Sequence, residues 1–268
     1  FRLFRILLAL AAVSLLIFLV SKVGFGPMVD YLSTMHPGWL LLALACMAAN
    51  ICLAALRYQR LTNTGLSFTY FLEVILASFL LNYAAMVQGL GLGAKIGMLK
   101  TRQVPVTQSS ASIWLEICLD VLVCSMLVAI FLAIEFEPGS EELLVVVVPL
   151  GIVFAASVGV ALLGRVPGRF AVVDRFVQAL AAISSLPRLS SALVYSVGIW
   201  ISTAAGFFCV LNALQPGGPT DLGLSILAMT SGFLTGLVSL IPGGIGVREL
   251  TWSYVVSQGG YALELAGL

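Results

Sequence analysis

Apolar residues fill this chain in long runs, and the polar positions fall between the runs more often than along one face of them. The pattern predicts helices over about 3–21, 39–56, 68–87, 109–134, 143–164, 190–213 and 222–240. Runs of about 18 or more apolar residues are long enough to cross a hydrocarbon core of roughly 30 Å as helices. The ten-residue alternating segments of a membrane β-barrel do not occur. The first run, FRLFRILLALAAVSLLIFLV, reads as a membrane helix rather than a cleaved leader, because it is longer than a usual leader core and no small-residue cleavage site follows it. Two further segments are too short to span. FVQALAAISSL (176–186) is expected to lie on the membrane surface. VRELTWSYVVS (247–257) is about 16 Å long at helical rise, roughly half the core.

Two places interrupt the pattern. QGLGLGAK (88–95) and IPGGIGVREL (241–250) each bring glycines and a cation to a point where hydrocarbon should continue. Unpaired backbone groups are not tolerated in lipid, so a broken helix at membrane depth must be buried in protein or line a wet cavity. The two places are also related to each other. ASFLLNYAAMVQGLGLGAK (77–95) and TSGFLTGLVSLIPGGIGVR (230–248) align without gaps at an offset of 153 residues. Ser78 pairs with Ser231, Asn82 with Thr235, and Gly91, Gly93 and Lys95 with Gly244, Gly246 and Arg248.

Charge placement orients the segments. The clusters Arg2 and Arg5; Arg57 and Arg60; Lys95, Lys100 and Arg102; and Arg165, Arg169, Arg175 and Arg188 alternate with Asp30, EFEPGSEE (135–142) and QPGGPTD (215–221). Basic loops favour the cytoplasmic side. The four clusters share that side only if the segment from Ser67 to Arg102 enters from the cytoplasm and returns to it, with its turn at 88–95. The second break then belongs to a hairpin that enters from outside. The expected fold class is therefore all-α, a polytopic integral membrane protein with two inverted re-entrant helical hairpins. It forms a single membrane domain over 1–268, with inverted halves at about 39–134 and 190–268 and a cytoplasmic N-terminus.

Composition sharpens the class. The 268 residues are 60% hydrophobic and 9% charged, far below the roughly 25% charged content of soluble domains. A net charge of +1 gives no reason to expect a nucleic-acid partner. Cys46, Cys52, Cys118, Cys124 and Cys209 all lie in apolar segments without metal-site or disulfide spacing, and read as packing residues.

Paired glycine-interrupted segments in two halves point to a transporter's binding site. Pro242 removes a backbone donor, while Gly243, Gly244 and Gly246 let a ligand approach the peptide groups. A helix restarting near Val247 would aim free N–H groups at an anion such as phosphate. Arg248 adds a planar set of donors, and Lys95 adds a charge from the other hairpin. The alternative role for these glycines is close helix packing.

In the helix over 109–134, Ser109, Ser112, Glu116, Asp120 and Cys124 recur at spacings of three or four and share a face. Two carboxylates one turn apart in an apolar helix face the bundle interior and mark either a proton or cation site or a static ion pair with Lys95, Arg248 or another cation. Arg57 and Glu73, nearer the cytoplasmic ends, read as interface anchors. Catalysis has little support: His36 reads as a solvated loop residue, GLGLG lacks the strand of a dinucleotide motif, and no metal-ligand set or cofactor motif can be assembled.

Taken together, IPGGIGVRE, LRYQRL, the region from Asn82 to Gly93, and LEICLD resemble the lysylphosphatidylglycerol synthase transmembrane region family, a flippase-like membrane domain. The resemblance covers most of the chain. Pro242, Gly243, Gly244, Gly246 and Glu249 match its Pro-Gly-Gly motif, and Glu116 and Asp120 match its acidic pair. Ile117 stands where the family commonly carries Arg. The resemblance implies movement of a lipid or lipid-linked sugar across a prokaryotic inner membrane. The substrate would be an anionic phospholipid or polyprenyl-phosphate-linked glycan. Gly91, Gly93, Lys95, Pro242, Gly243, Gly244, Gly246 and Arg248 would hold its headgroup, and Glu116, Asp120 and Glu249 would organise those cations or couple a proton. Alternative expectations are a secondary transporter of a small anion, or a non-transporting scaffold for an associated synthase or glycosyltransferase. Homo-oligomers are compatible with each.

Overall fold

The computed structural model describes residues 35–85, 88–135, 151, 171–214, 221–239 and 247–258. Among these residues it is entirely helical. The helices are α1 (Pro37–Thr62), α2 (Phe68–Ala85), α3 (Gln88–Thr101), α4 (Val106–Glu135), α5 (Ala171–Ile183), α6 (Leu186–Leu214), α7 (Leu222–Val238) and α8 (Val247–Gln258). The helices expected over 3–21 and 143–164 lie outside the described residues. The others form close to their expected bounds, because the apolar runs that predict them are the surfaces they pack or present to lipid, except that the helix expected over 39–56 continues through Arg57 to Thr62.

Among the described residues, three helices are long and apolar enough to cross a membrane: Pro37–Thr62, Val106–Phe131 and Leu186–Leu214. Only 11% of the most apolar stretch of α1 is buried inside the protein. Leu41, Leu42, Leu44 and Met47 point outward from it, as do Met126 and Ile130 from α4 and Val194 from α6. A helix apolar all round with so little internal burial has lipid as its remaining solvent. Pro37 begins α1 at a position where a missing N–H costs nothing. Asn63 ends it in the left-handed conformation (φ 48°), its N–H donating to Gln59 O.

Helices α1 and α6 run antiparallel in close contact. Along α1, Trp39, Asn50, Leu53 and Arg57 meet Phe208, Thr203, Gly198 and Ser196 in reversed order. Near their midpoint the Asn50 amide donates to Thr203 Oγ1 (2.7 Å) and Ile199 O (3.0 Å). Asn50 and Thr203 are 153 residues apart, the same offset that aligns the two glycine-ended segments.

Two shorter antiparallel hairpins flank this pair. Helices α2 and α3 have 18 and 14 residues, about 27 and 21 Å at helical rise. Helices α7 and α8 have 17 and 12, about 26 and 18 Å. Within the described residues all four are shorter than the roughly 30 Å core. The aligned positions Asn82 and Thr235 both reach across their own hairpin, Asn82 Oδ1 accepting from Gly91 N (2.9 Å) and Thr235 Oγ1 lying 3.0 Å from Thr251 Oγ1.

Each hairpin has its own apolar core. Phe71, Val74, Ile75 and Leu99 pack with Ala55 and Tyr58 of α1 and Ile113 of α4. Leu227, Ala228, Leu234, Val255 and Val256 pack with Val121, Cys124 and Val128 of α4 and Trp200 of α6. Ile117 of α4 touches both cores, so the carboxylates on either side of it sit at their junction.

The turn expected over 88–95 is corrected: α2 ends at Ala85 and α3 begins at Gln88, so QGLGLGAK forms the start of a helix. The reason is local. The Asn82 side chain occupies the space a Cβ on Gly91 would need, so that glycine supplies room between two helices rather than a change of direction.

Candidate functional site

Four ionisable side chains from three helices converge at the junction of the cores. Lys95 of α3 places Nζ 2.7 Å from Glu116 Oε2. Arg57 of α1 engages Asp120 through both terminal nitrogens, with Nη2 to Oδ2 at 3.1 Å. Its Nε lies 3.5 Å from Glu116 Oε1, an ion pair without a hydrogen bond. Two neutral groups of α6 complete the set: Ser196 Oγ accepts from Arg57 Nη1 at 2.8 Å, and Trp200 Nε1–H donates to Asp120 Oδ1 at 3.0 Å. Lys95 Nζ also sits 4.8 Å from the centre of the Tyr58 ring, within reach of a cation–π attraction.

Helical spacing explains why these groups meet. Glu116 and Asp120 are one turn apart on α4 and project to the same side. Arg57 lies near the C-terminal end of α1, where Ser196 of the antiparallel α6 is opposite it. The planar guanidinium matches the Asp120 carboxylate at two points, which a lysine could not do.

The set is nearly dry and balanced in charge. Arg57 is 5% exposed and Glu116 3%. Two cations face two carboxylates, so each charge is offset in a region where a lone one would cost several kcal/mol. Satisfaction is incomplete, because Arg57 Nε, Glu116 Oε1 and the hydroxyl of the fully buried Tyr58 have no hydrogen-bond partner. Trp200 carries the chain of contacts onward, its ring 4.8 Å from that of Phe233 on α7. A connected path therefore runs from the first hairpin, at Lys95, to the second.

Of the site residues expected from sequence, Lys95, Glu116 and Asp120 are brought together. Gly91 is buried against Asn82, whereas Gly93 faces open space. Arg248 lies elsewhere, its guanidinium 5.0 Å from the centre of the Trp252 ring with Nε unpaired. Among the described residues no ion pair joins it to the Lys95 group. Pro242, Gly243, Gly244, Gly246 and the side chain of Glu249 lie outside the described residues.

Arg57 is the main correction. Expected as an interface anchor, it is instead the buried partner of both carboxylates, and among the described residues no other cation pairs with Asp120. Glu73 is exposed. Sequence reasoning also missed Tyr58, Ser196 and Trp200. A usable signal for Arg57 existed: two carboxylates inside an apolar helix call for two cations, and Arg57 continues an unbroken helical run. Among the described residues no group of His, Cys, Asp and Glu has the arrangement of a metal site.

The long apolar helices, the lipid-facing side chains and the charge set sealed inside them define a helical membrane protein with a polar interior. Its sequence matches the family model described as the lysylphosphatidylglycerol synthase TM region over residues 3–268, and the chain belongs to that family. Comparison with curated proteins and with solved structures finds no match.

Proposed function

We propose that the protein is a lipid translocase, passing an anionic headgroup through a polar interior between two inverted re-entrant hairpins while the acyl chains stay in the bilayer. The observation that carries this reading is the buried path from Lys95 through Glu116, Arg57, Asp120 and Trp200 to Phe233, which links one hairpin to the other. Three further features support it. Within the described residues, all four hairpin helices are shorter than the membrane core is thick. Equivalent positions of the two halves, Asn50 and Thr203, touch at the crossing of antiparallel helices, as an in-plane two-fold relation between inverted halves requires. The chain also belongs to a membrane-region family named for lysylphosphatidylglycerol synthesis.

In this mechanism a headgroup phosphate competes with Glu116 for Lys95. Glu116 and Arg57 then re-pair at the contact now open at 3.5 Å, so no charge is stranded as Lys95 turns to the lipid. Arg248 and the glycines Gly243, Gly244 and Gly246 would receive the same phosphate in the second hairpin. The protein acts without covalent chemistry.

The dryness of the cluster favours a second reading, a static core in a membrane scaffold for a glycosyltransferase: Glu116 is 3% exposed, and transport requires it to open. One experiment separates the two. Protein with Lys95→Met and Glu116→Leu together loses a charge pair without leaving either partner stranded, and should fold with near-unchanged stability. In liposomes with fluorescent phosphatidylglycerol, a translocase loses most of its dithionite-accessible lipid exchange in this variant. Full exchange in the double variant, or none in the unmodified protein, would sink the translocase reading.

A further inference from the structure

A second polar site lies at the end of α1, outside the buried cluster. The C-terminus of α1, the loop after it and the start of α6 border an open pocket of about 350 Å³, lined by Gln59, Arg60, Asn63, Gly65, Leu66 and Arg188. That size falls in the range of small-molecule sites. Antiparallel packing creates it, since it brings the last turn of α1 and the first turn of α6 to the same end of the molecule.

The lining is built rather than incidental. Arg188 is held by a hydrogen bond from Nη1 to Ala182 O (3.0 Å), and Gln59 Nε2 ties the loop back through Leu66 O (2.8 Å). Asn63 and Gly65 take left-handed backbone angles (φ 48° and 69°) that turn the chain sharply after α1. Two guanidinium groups and two side-chain amides converge there, and no carboxylate lines the space. Among the described residues neither Arg60 nor Arg188 has an ion-pair partner. Such a donor set selects a tetrahedral oxyanion, to which arginine presents paired N–H groups. A second cavity of about 200 Å³ shares Asn63 and is otherwise lined by Pro105, Ala179, Ala182 and Ile183 together with Thr107 and Gln108, and no charged residue lines it. A cationic pocket beside an uncharged, less polar one suits an amphiphile.

We propose that this pocket binds a phosphate group through Arg60 and Arg188, with the adjoining uncharged cavity receiving the start of a lipid's glycerol and acyl portion. The site stands independently of translocation, because neither arginine belongs to the buried cluster. Phosphate chemistry is shared by a lipid headgroup and by free phosphate, and the two sources give different results.

The test is calorimetric titration of the full chain in neutral detergent with dihexanoyl-phosphatidylglycerol, inorganic phosphate and dihexanoylglycerol, the last lacking phosphate. The expected result is binding of the phosphatidylglycerol, weakened on the order of tenfold or more by Arg60→Ala with Arg188→Ala, as befits lost charge-assisted hydrogen bonds. Arg175→Ala, at an exposed position of α5 outside the lining, should leave binding unchanged. Binding of inorganic phosphate that depends on the same two arginines supports the site and assigns it to a soluble source as well. Equal binding of dihexanoylglycerol, absence of binding by both phosphate compounds, or indifference to the double variant overturns the proposal. Should the alanine variant lose its thermal transition, Arg60→Lys with Arg188→Lys retains the charge and removes the planar fork. A several-fold weakening there supports the site, and no change overturns it. Because lipid exchange in liposomes is read separately, failure of this site and failure of the translocase reading are distinct results.

Discussion

At the scale of single residues, Arg57 holds the centre. It faces both carboxylates and Ser196, and Asp120 depends on it and on the neutral indole of Trp200. Arg57→Met leaves Asp120 buried without a full charge opposite it, and removing one member of a buried ion pair costs about 3–5 kcal/mol. A drop in the detergent-phase unfolding temperature of that variant, exceeding that of Lys95→Met with Glu116→Leu, is the expected outcome. Arg57→Lys retains the charge and gives up the two-point contact with Asp120, so its loss should fall between that of Arg57→Met and none. A milder result for Arg57→Met than for the double variant would show that the charge balance described here is not what holds the junction.

At the scale of helices, small residues let polar side chains bridge neighbouring elements. Gly91 gives Asn82 its place, and the 2.9 Å bond from its N–H is formed across the hairpin. Gly91→Ala forces Asn82 aside and should cost about 1 kcal/mol through the lost hydrogen bond. In an Asn82→Ala background the same change meets no obstacle. The two effects should therefore be non-additive, the double variant being no less stable than Asn82→Ala alone. Simple additivity in thermal unfolding would mean that Asn82 and Gly91 do not meet. At the α1–α6 crossing, Asn50→Leu removes the bonds to Thr203 and Ile199. Interhelical hydrogen bonds in membranes average about 0.6 kcal/mol and reach about 1.7, so a small loss of stability is expected.

Across the whole molecule, the relation of the two halves is the quantity to test. A Cβ added at Gly206 of α6 would lie 3.5 Å from the Cβ of Cys46 on α1, at the lower end of the range that disulfides span. In a Cys209→Ala background, Gly206→Cys should cross-link to Cys46 on oxidation, seen as a mobility shift reversed by reductant. If the halves rock against each other during transport, the oxidised protein stops exchanging lipid and recovers on reduction. Efficient exchange in the fully cross-linked protein would place the motion in the hairpins alone.

Much of this architecture was legible in the chain because the bilayer restricts the choices. Apolar run length set α1, α4 and α6, since only helices satisfy their own backbone in lipid. The acidic pair on α4 was legible for the same reason: buried carboxylates in an apolar helix need partners. What the sequence left open was the identity of the partners. The chain offers Lys95 as one of several cations, whereas the place of Arg57 near a helix end resembles that of a residue reaching water. Its burial comes from α6 packing antiparallel along α1, a contact between segments over a hundred residues apart. QGLGLGAK likewise carries the composition of a turn and forms the start of a helix, with Asn82 filling the space that Gly91 leaves. Hydrophobicity and hydrogen-bond satisfaction act along the chain and can be read from it. Which charges neutralise one another is decided only when separate helices are pressed together, for a buried ion pair depends on distances of a few ångströms that linear spacing does not fix.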